Sequence, residues 1–177
     1  FKFCRMRNIL IVGAGKSSPY LIKYLLDKSQ EQNLYLNITD VTIDHLLHHK
    51  KNNRCTVSTI NILDDKEREG YLLKNDIIIS MLPARLHMIL ANSCLKLKKN
   101  LITASYVSDE MRGISRSVKD RNLIFLNEMG LDPGIDHMSA KKVIDKLKEN
   151  SCSIYSFKSY TGLSLIHISE PTRPALI

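Results

Sequence analysis

The stretch NILIVGAGKSS, residues 8–18, joins an apolar run of strand length directly to a glycine turn and a helix start. A strand that is apolar at every position is covered on both faces, which is the habit of a parallel sheet flanked by helices. Gly13, Ala14 and Gly15 then make a tight turn. Pro19 suits the first turn of a helix over residues 18–26, with Ser18 before it as N-cap. A glycine turn between a strand and a helix lets backbone N–H groups and the positive helix end approach a pyrophosphate.

The same alternation runs outward from there. Residues 34–39 (LYLNIT), 55–60 (CTVSTI), 76–81 (DIIISM), 101–104 (LITA) and 123–127 (LIFLN) are strand-like. Helical periods fall at 43–50, 64–73, 84–97, 108–121 and 136–148. Strands separated by helices imply an α/β fold, a doubly wound parallel sheet of the Rossmann-like kind. Residues 154–160 (IYSFKSY) alternate apolar and polar instead, the period of a strand with one exposed face. The expected organisation is a dinucleotide-binding domain over 6–150 and the start of a second, α+β, domain over 151–162.

Composition sets limits on function. The chain has 177 residues, 44% hydrophobic and 25% charged, which is the balance of a water-exposed globular protein. No apolar run reaches the roughly 18 to 20 residues of a membrane span, and no signal-peptide pattern opens the chain. Cys4, Cys55, Cys94 and Cys152 form no C-x-x-C pair, so reduced thiols in a cytoplasmic protein are expected, with no metal site. The net charge of +8 is spread over scattered lysines and arginines, without a recognised nucleic-acid motif, and suits anionic small molecules. Neither nucleic acid nor a membrane is an expected partner.

Both ends read differently from the middle. Met6 stands just before the first strand as a plausible initiator. Residues 163–173, LSLIHISEPTR, resemble the conceptual translation of a transposase adapter used in sequencing libraries, so residues 163–177 are expected to be foreign to the fold.

Four stretches carry chemistry. In the glycine turn Gly13, Ala14, Gly15, Lys16 and Ser17 face a cofactor. Asp40, at the end of the second strand, offers a carboxylate to ribose hydroxyls and by itself favours NAD over NADP, or serves as a turn residue. A P-loop would need glycine where Leu10 stands. SMLP (80–83) closes the fourth strand, where ligands of doubly wound sheets gather. TASYVS (103–108) and NEMGLDPGIDHMSA (127–140) follow later strands on the same sheet edge, with Tyr106, Asp132, Asp136 and His137 as polar groups. Alone, Asp136 is a helix N-cap and Asp132-Pro133-Gly134 a turn. His45, His48 and His49 have helical spacing and read as a solvated helix face.

Taken together, VGAGKSSPYL, ISMLPARLH, ITASYVSDEM and NEMGLDPGIDHMSA resemble the saccharopine dehydrogenase family, in its glutamate-forming branch. The resemblance implies an NAD(P)-dependent oxidoreductase acting on CH–NH groups. Such an enzyme interconverts saccharopine with α-aminoadipate semialdehyde plus glutamate in lysine metabolism. It further implies that Ala14 to Ser17 lie along the pyrophosphate and that Asp40, Val41 and Thr42 lie near the adenosine ribose. Asn61 and Ile62 would flank adenine, and Leu82 the nicotinamide side. Ser105, Tyr106 and Asp132 would meet substrate and nicotinamide, with Leu131 and Pro133 shaping that wall. Members of this branch commonly use NADP. The larger substrate domain of the family does not follow Tyr160, so the chain is expected to be an N-terminal fragment, inactive alone; homo-oligomerisation is compatible with an intact protein. Two alternatives are a non-catalytic dinucleotide-binding module and another amino-acid or imine dehydrogenase.

Overall fold

A computed structural model describes residues 5–158. The expected adapter-like residues 163–177 lie outside these, as do Ser159 and Tyr160. Six strands, β1 (Arg7–Val12), β2 (Leu34–Asp40), β3 (Cys55–Thr59), β4 (Ile77–Ser80), β5 (Asn100–Thr103) and β6 (Phe125–Leu126), form one sheet in the order β3-β2-β1-β4-β5-β6. Every pairing is parallel. The helices are α1 (Pro19–Lys28), α2 (Asp65–Leu73), α3 (His87–Leu97), α4 (Asp109–Gly113), α5 (Ser115–Asp120) and α6 (Ile135–Glu149). The doubly wound fold expected from the sequence is the fold observed.

β1 explains the two layers. Because successive side chains of a strand point to opposite faces, Ile9 and Ile11 enter one core with Ile22, Leu36, Ile38 and Leu46. Leu10 and Val12 enter the other, with Leu72, Ile78, Leu90 and Leu101. An uninterrupted apolar run is therefore required at the centre of the sheet. Thr39 is the polar exception at the end of β2: fully buried, it donates from Oγ1 to the Ile11 carbonyl at 2.9 Å.

Several expected elements change character. Residues 44–51 form a 3-10 helix, not an α-helix, since only Leu46 of that segment is buried and packing cannot reward a longer regular helix. The helix expected over 84–97 begins as a 3-10 turn after Pro83 and becomes α-helical at His87. The one expected over 108–121 breaks at Ile114 into α4 and α5, next to Gly113, whose backbone freedom disfavours a helix interior. The last strand shrinks to two residues because it is an edge, paired only with Leu101 and Ile102. Asp136 is not the N-cap of α6; Gly134 is, and Asp136 Oδ1 accepts from the Gly134 N–H at 2.8 Å. Ser18 sits at the cap of α1, but its hydroxyl donates back to the Gly15 carbonyl. Residues 154–158 form no strand and are exposed, since no neighbouring strand among the described residues offers them a hydrogen-bonding edge.

The turn after β3 is held from beneath. Asp64 caps α2 by accepting from the Glu67 N–H, and Glu67 accepts from the Asn61 N–H. Arg68, 6% exposed, donates to the Ile62 carbonyl at 2.7 Å, to Ser93 Oγ at 2.8 Å and to Asp65 at 2.6 Å. Arg68→Met keeps the stem and strands a buried carbonyl and hydroxyl. A loss of about 2 kcal/mol is expected, checked as a lower denaturation midpoint with unchanged slope.

Candidate functional site

The carboxyl ends of β1, β2, β4 and β5 open on one edge of the sheet, and the glycine turn sits at their centre. Gly13 has φ +89°, a left-handed value glycine adopts freely. Its N–H donates to the Thr39 carbonyl. A side chain there would lie 3.0 Å from the backbone of Met81 and 3.2 Å from the Leu82 nitrogen, so the glycine lets β1 pass close to the end of β4. The Leu82 backbone thus adjoins the glycine turn.

The turn is clamped on its outer side. Asp40 Oδ2 accepts from the Ala14 N–H, Oδ1 accepts from the Val41 N–H at 2.6 Å, and His45 Nε2 meets the Ala14 carbonyl at 2.8 Å. His45 consequently parts company with its neighbours His48 and His49, whose ring centroids lie 3.9 Å apart. Sequence reasoning missed His45, because helical spacing says nothing about a contact across a loop. Past Ala14, the N–H groups of Gly15, Lys16 and Ser17 have no partner among the described residues, and these three residues are exposed. They precede α1, whose N-terminus adds its partial positive charge. An anion of phosphate size fits this set of donors, and Gly15 has no atom within 4 Å of where a side chain would start.

The expected ribose residues Val41 and Thr42 are exposed beside Asp40. Asn61 is exposed, with its side-chain oxygen accepting from the Leu63 N–H, whereas the Ile62 side chain is buried in the core. Of Ile62, only the backbone remains near the sheet edge.

On the other half of the edge, the loop after β6 is laced to the tail of β5. The Met129 N–H donates to the Thr103 carbonyl, the Glu128 N–H to the Ser105 carbonyl, and Glu128 Oε1 accepts from the Val107 N–H. Gly130 packs so closely on Ala104 that a Cβ would lie 2.7 Å from its carbonyl oxygen. The Asp132–Pro133 peptide is cis, Pro133 and Gly134 are buried, and Leu131 is exposed. This folding-back brings Tyr106 Oη within 2.5 Å of Asp132 Oδ1. The hydrogen bond to Asp132, with burial and the surrounding carboxylates, pushes the Tyr106 phenol up to about 12, so it stays a protonated donor at neutral pH. His137 Nδ1 pairs with Asp136 Oδ1 at 2.8 Å, a bond that raises the imidazole above its ordinary value. The structure thus brings Ser105, Tyr106 and Asp132 together, and His137 is exposed nearby on α6.

One constellation had no sequence signal of its own. His87, at the first turn of α3 and 5% exposed, meets Ser80 Oγ through Nδ1 and Ser105 Oγ through Nε2, both at 2.8 Å. The histidine stood inside the quoted ARLH, but nothing in its spacing marks a partner 18 residues onward.

Against this geometry, the sequence profile described as "Saccharopine dehydrogenase NADP binding domain" matches residues 9–126. The chain belongs to the saccharopine dehydrogenase NADP-binding domain family. Among curated relatives of this family, the mitochondrial alpha-aminoadipic semialdehyde synthase of Rattus norvegicus is 33% identical over 159 residues, 88% of this chain and 17% of that protein. The NADP(+), L-glutamate-forming saccharopine dehydrogenase of Saccharomyces cerevisiae is 28% identical over 156 residues, 88% of this chain and 34% of that protein. The apo structure of an L-Glu-forming saccharopine dehydrogenase from the same yeast superposes with a TM-score of 0.71 at 26% identity, over 82% of this chain and 32% of that one. The chain spans about a third or less of the length of these curated relatives. Among the described residues no helix is long and apolar enough to cross a membrane.

Proposed function

We propose that the chain is the dinucleotide-binding part of an NADP(H)-dependent saccharopine dehydrogenase of the glutamate-forming kind, interconverting saccharopine with α-aminoadipate semialdehyde and glutamate. The observation that carries this is the run of three N–H groups, Gly15 to Ser17, without a partner among the described residues, beside the Gly13 turn just before α1. Relatives whose names include saccharopine dehydrogenase support the substrate class. The domain boundary belongs near Ser151, just past α6, with the remaining substrate contacts on sequence beyond it. Buried free thiols at Cys55 and Cys94, the latter pushed up to about 12 by burial and so unreactive, suit the reducing cytoplasm.

NADP is the cofactor the family profile supports, although Asp40 is acidic. Both oxygens of Asp40 are engaged by backbone N–H groups, so its charge serves to hold the Ala14 turn. When bound, the nicotinamide accepts or supplies a hydride. The chain's own part is positional. Gly15, Lys16 and Ser17 would hold phosphate oxygens, and Leu82 and Pro133 would wall the nicotinamide side. Tyr106, tied to Asp132, would present a fixed pair of polar groups to the substrate.

Titration of the 177-residue chain with NADPH and with NADH tests the cofactor assignment. Saturable binding with NADPH preferred is expected, and absence of binding to either would end it. In a chain carrying the full relative length, Asp132→Ala is expected to lower kcat/KM for saccharopine by about tenfold to a hundredfold, or ~1.4–2.8 kcal/mol. The NADPH dissociation constant should move less than about threefold, and loss of NADPH affinity alone would remove Asp132 from the substrate wall.

A further inference from the structure

The buried relay Ser80–His87–Ser105 has a direction that its hydrogen-bond partners determine. Ser80 is fully buried, and its hydroxyl proton must go to an acceptor or be stranded at a cost. Its only side-chain partner among the described residues is His87 Nδ1, and none of the buried side-chain polar atoms there lacks a partner. Nδ1 therefore accepts. Burial pushes the His87 imidazole below its ordinary value, which keeps the ring neutral at neutral pH. A neutral ring that accepts at Nδ1 carries its proton on Nε2, and that N–H donates to Ser105 Oγ. With its oxygen accepting from His87, the Ser105 hydroxyl does not spend its own proton on the ring, and Ser105, half-buried, stands next to Tyr106, which is bonded to Asp132.

We infer that His87 is a positioning residue, oriented by Ser80, that fixes the Ser105 hydroxyl as a hydrogen-bond donor and so selects an acceptor, a carboxylate oxygen in particular, for the substrate group seated there. The choice of carboxylate rests on the proposed function, whereas the direction of the relay does not. Tyr106 supplies a second hydroxyl on the same wall, but its proton is spent on Asp132. Ser105 is thus the neutral donor of that wall with its proton free, beside an acidic residue that would repel a misplaced carboxylate.

Two measurements test this, the first on the 177-residue chain. In long-range proton–nitrogen spectra of histidine-labelled protein at pH 7, the His87 signal, assigned by its loss in His87→Gln, should show protonated Nε2 and bare Nδ1. A protonated Nδ1 would overturn the inference whatever the chain's function. The second uses glutamate as the carboxylate probe on NADPH-treated protein of the full relative length. His87→Asn offers a group only near the Nδ1 position, while His87→Gln places an amide N–H near that of Nε2. His87→Asn and Ser105→Ala are each expected to weaken glutamate binding about tenfold, the double variant no more than either alone. His87→Gln should stay within about threefold of the parent. Additive effects, or equal losses in the Asn and Gln variants that follow their melting temperatures, would reduce His87 to a packing residue. Wild-type chain that shows the Nε2–H form but binds no glutamate or NADPH would overturn the proposed function and leave the relay standing.

Discussion

Gly13→Ala is expected to raise the dissociation constant for NADPH about a hundredfold, or ~2.8 kcal/mol, the largest effect of any single methyl group added along the glycine turn. Two costs combine. A φ of +89° is strained for alanine. The new Cβ would also stand 3.0 Å from the Met81 carbonyl carbon and oxygen and 3.2 Å from the Leu82 nitrogen. All three are backbone atoms of the chain leaving β4, so no rotamer change relieves the crowding. The turn must move outward, and it cannot do so without disturbing the Ala14 N–H bond to Asp40 and the three free N–H groups that follow. Gly15→Ala is the control: nothing lies within 4 Å of its Cβ position, so the melting temperature should hold while affinity alone responds. Fluorescence titration with NADPH, alongside thermal melts of both variants, checks the pair. Gly13→Ala with parental affinity would mean that the turn does not carry the cofactor.

The difference between these glycines marks what a sequence can and cannot announce. The fold was legible because a doubly covered sheet demands apolar residues at nearly every central position, as Ile9 to Val12 and Ile77 to Ile79 show. Where burial weakens, so does the signal. Residues 44–51 bury only Leu46 and settle for 3-10 geometry, and the edge strand β6 retains two of the five residues 123–127. The alternation at 154–158 is a local pattern without a neighbouring edge to pair with, and alternation by itself cannot make a strand. The site divides in the same way. Glycines, the Asp40 position and the SYVS and GLDPG words announce themselves through turn chemistry and family likeness. His45 on the Ala14 carbonyl and His87 between two serines arise from crossings of separate loops, and no local spacing encodes those.

Gly134→Ala is expected to unlock the loop that holds Asp132 in place, lowering local amide protection about a hundredfold while the central sheet stays unchanged. Gly134 has φ +144°, and a Cβ there would overlap the Gly130 carbonyl oxygen, with the Gly130 nitrogen 2.7 Å away and the Glu128 oxygen 2.9 Å away. Backbone surrounds the position on each of these sides, so the combined strain is about 3 kcal/mol, at the upper end for a single forced conformation. The cost falls locally, because α6 buries none of its residues and contributes little packing to resist its own displacement. Hydrogen exchange should report it at Gly130, Ile135, Asp136 and Met138, whose N–H groups bond within this loop and the first turn of α6. Amides of β1 and β4 serve as the internal reference. An optical titration supplies a second, chemically distinct readout. The Tyr106 phenol stands at about 12 first because of its hydrogen bond to Asp132, with burial and nearby carboxylates adding to it. Once the loop releases Asp132, the phenolate is no longer opposed there, and the phenol should fall back toward the ordinary value of about 10. Ionisation of Tyr106 would then begin at lower pH in Gly134→Ala than in the parent. Asp132→Asn should lower the same titration with amide protection retained, which separates loss of the charge from loss of the loop. If Gly134→Ala exchanged and titrated like the parent, the crowding at Gly134 would not be what holds Asp132 against Tyr106.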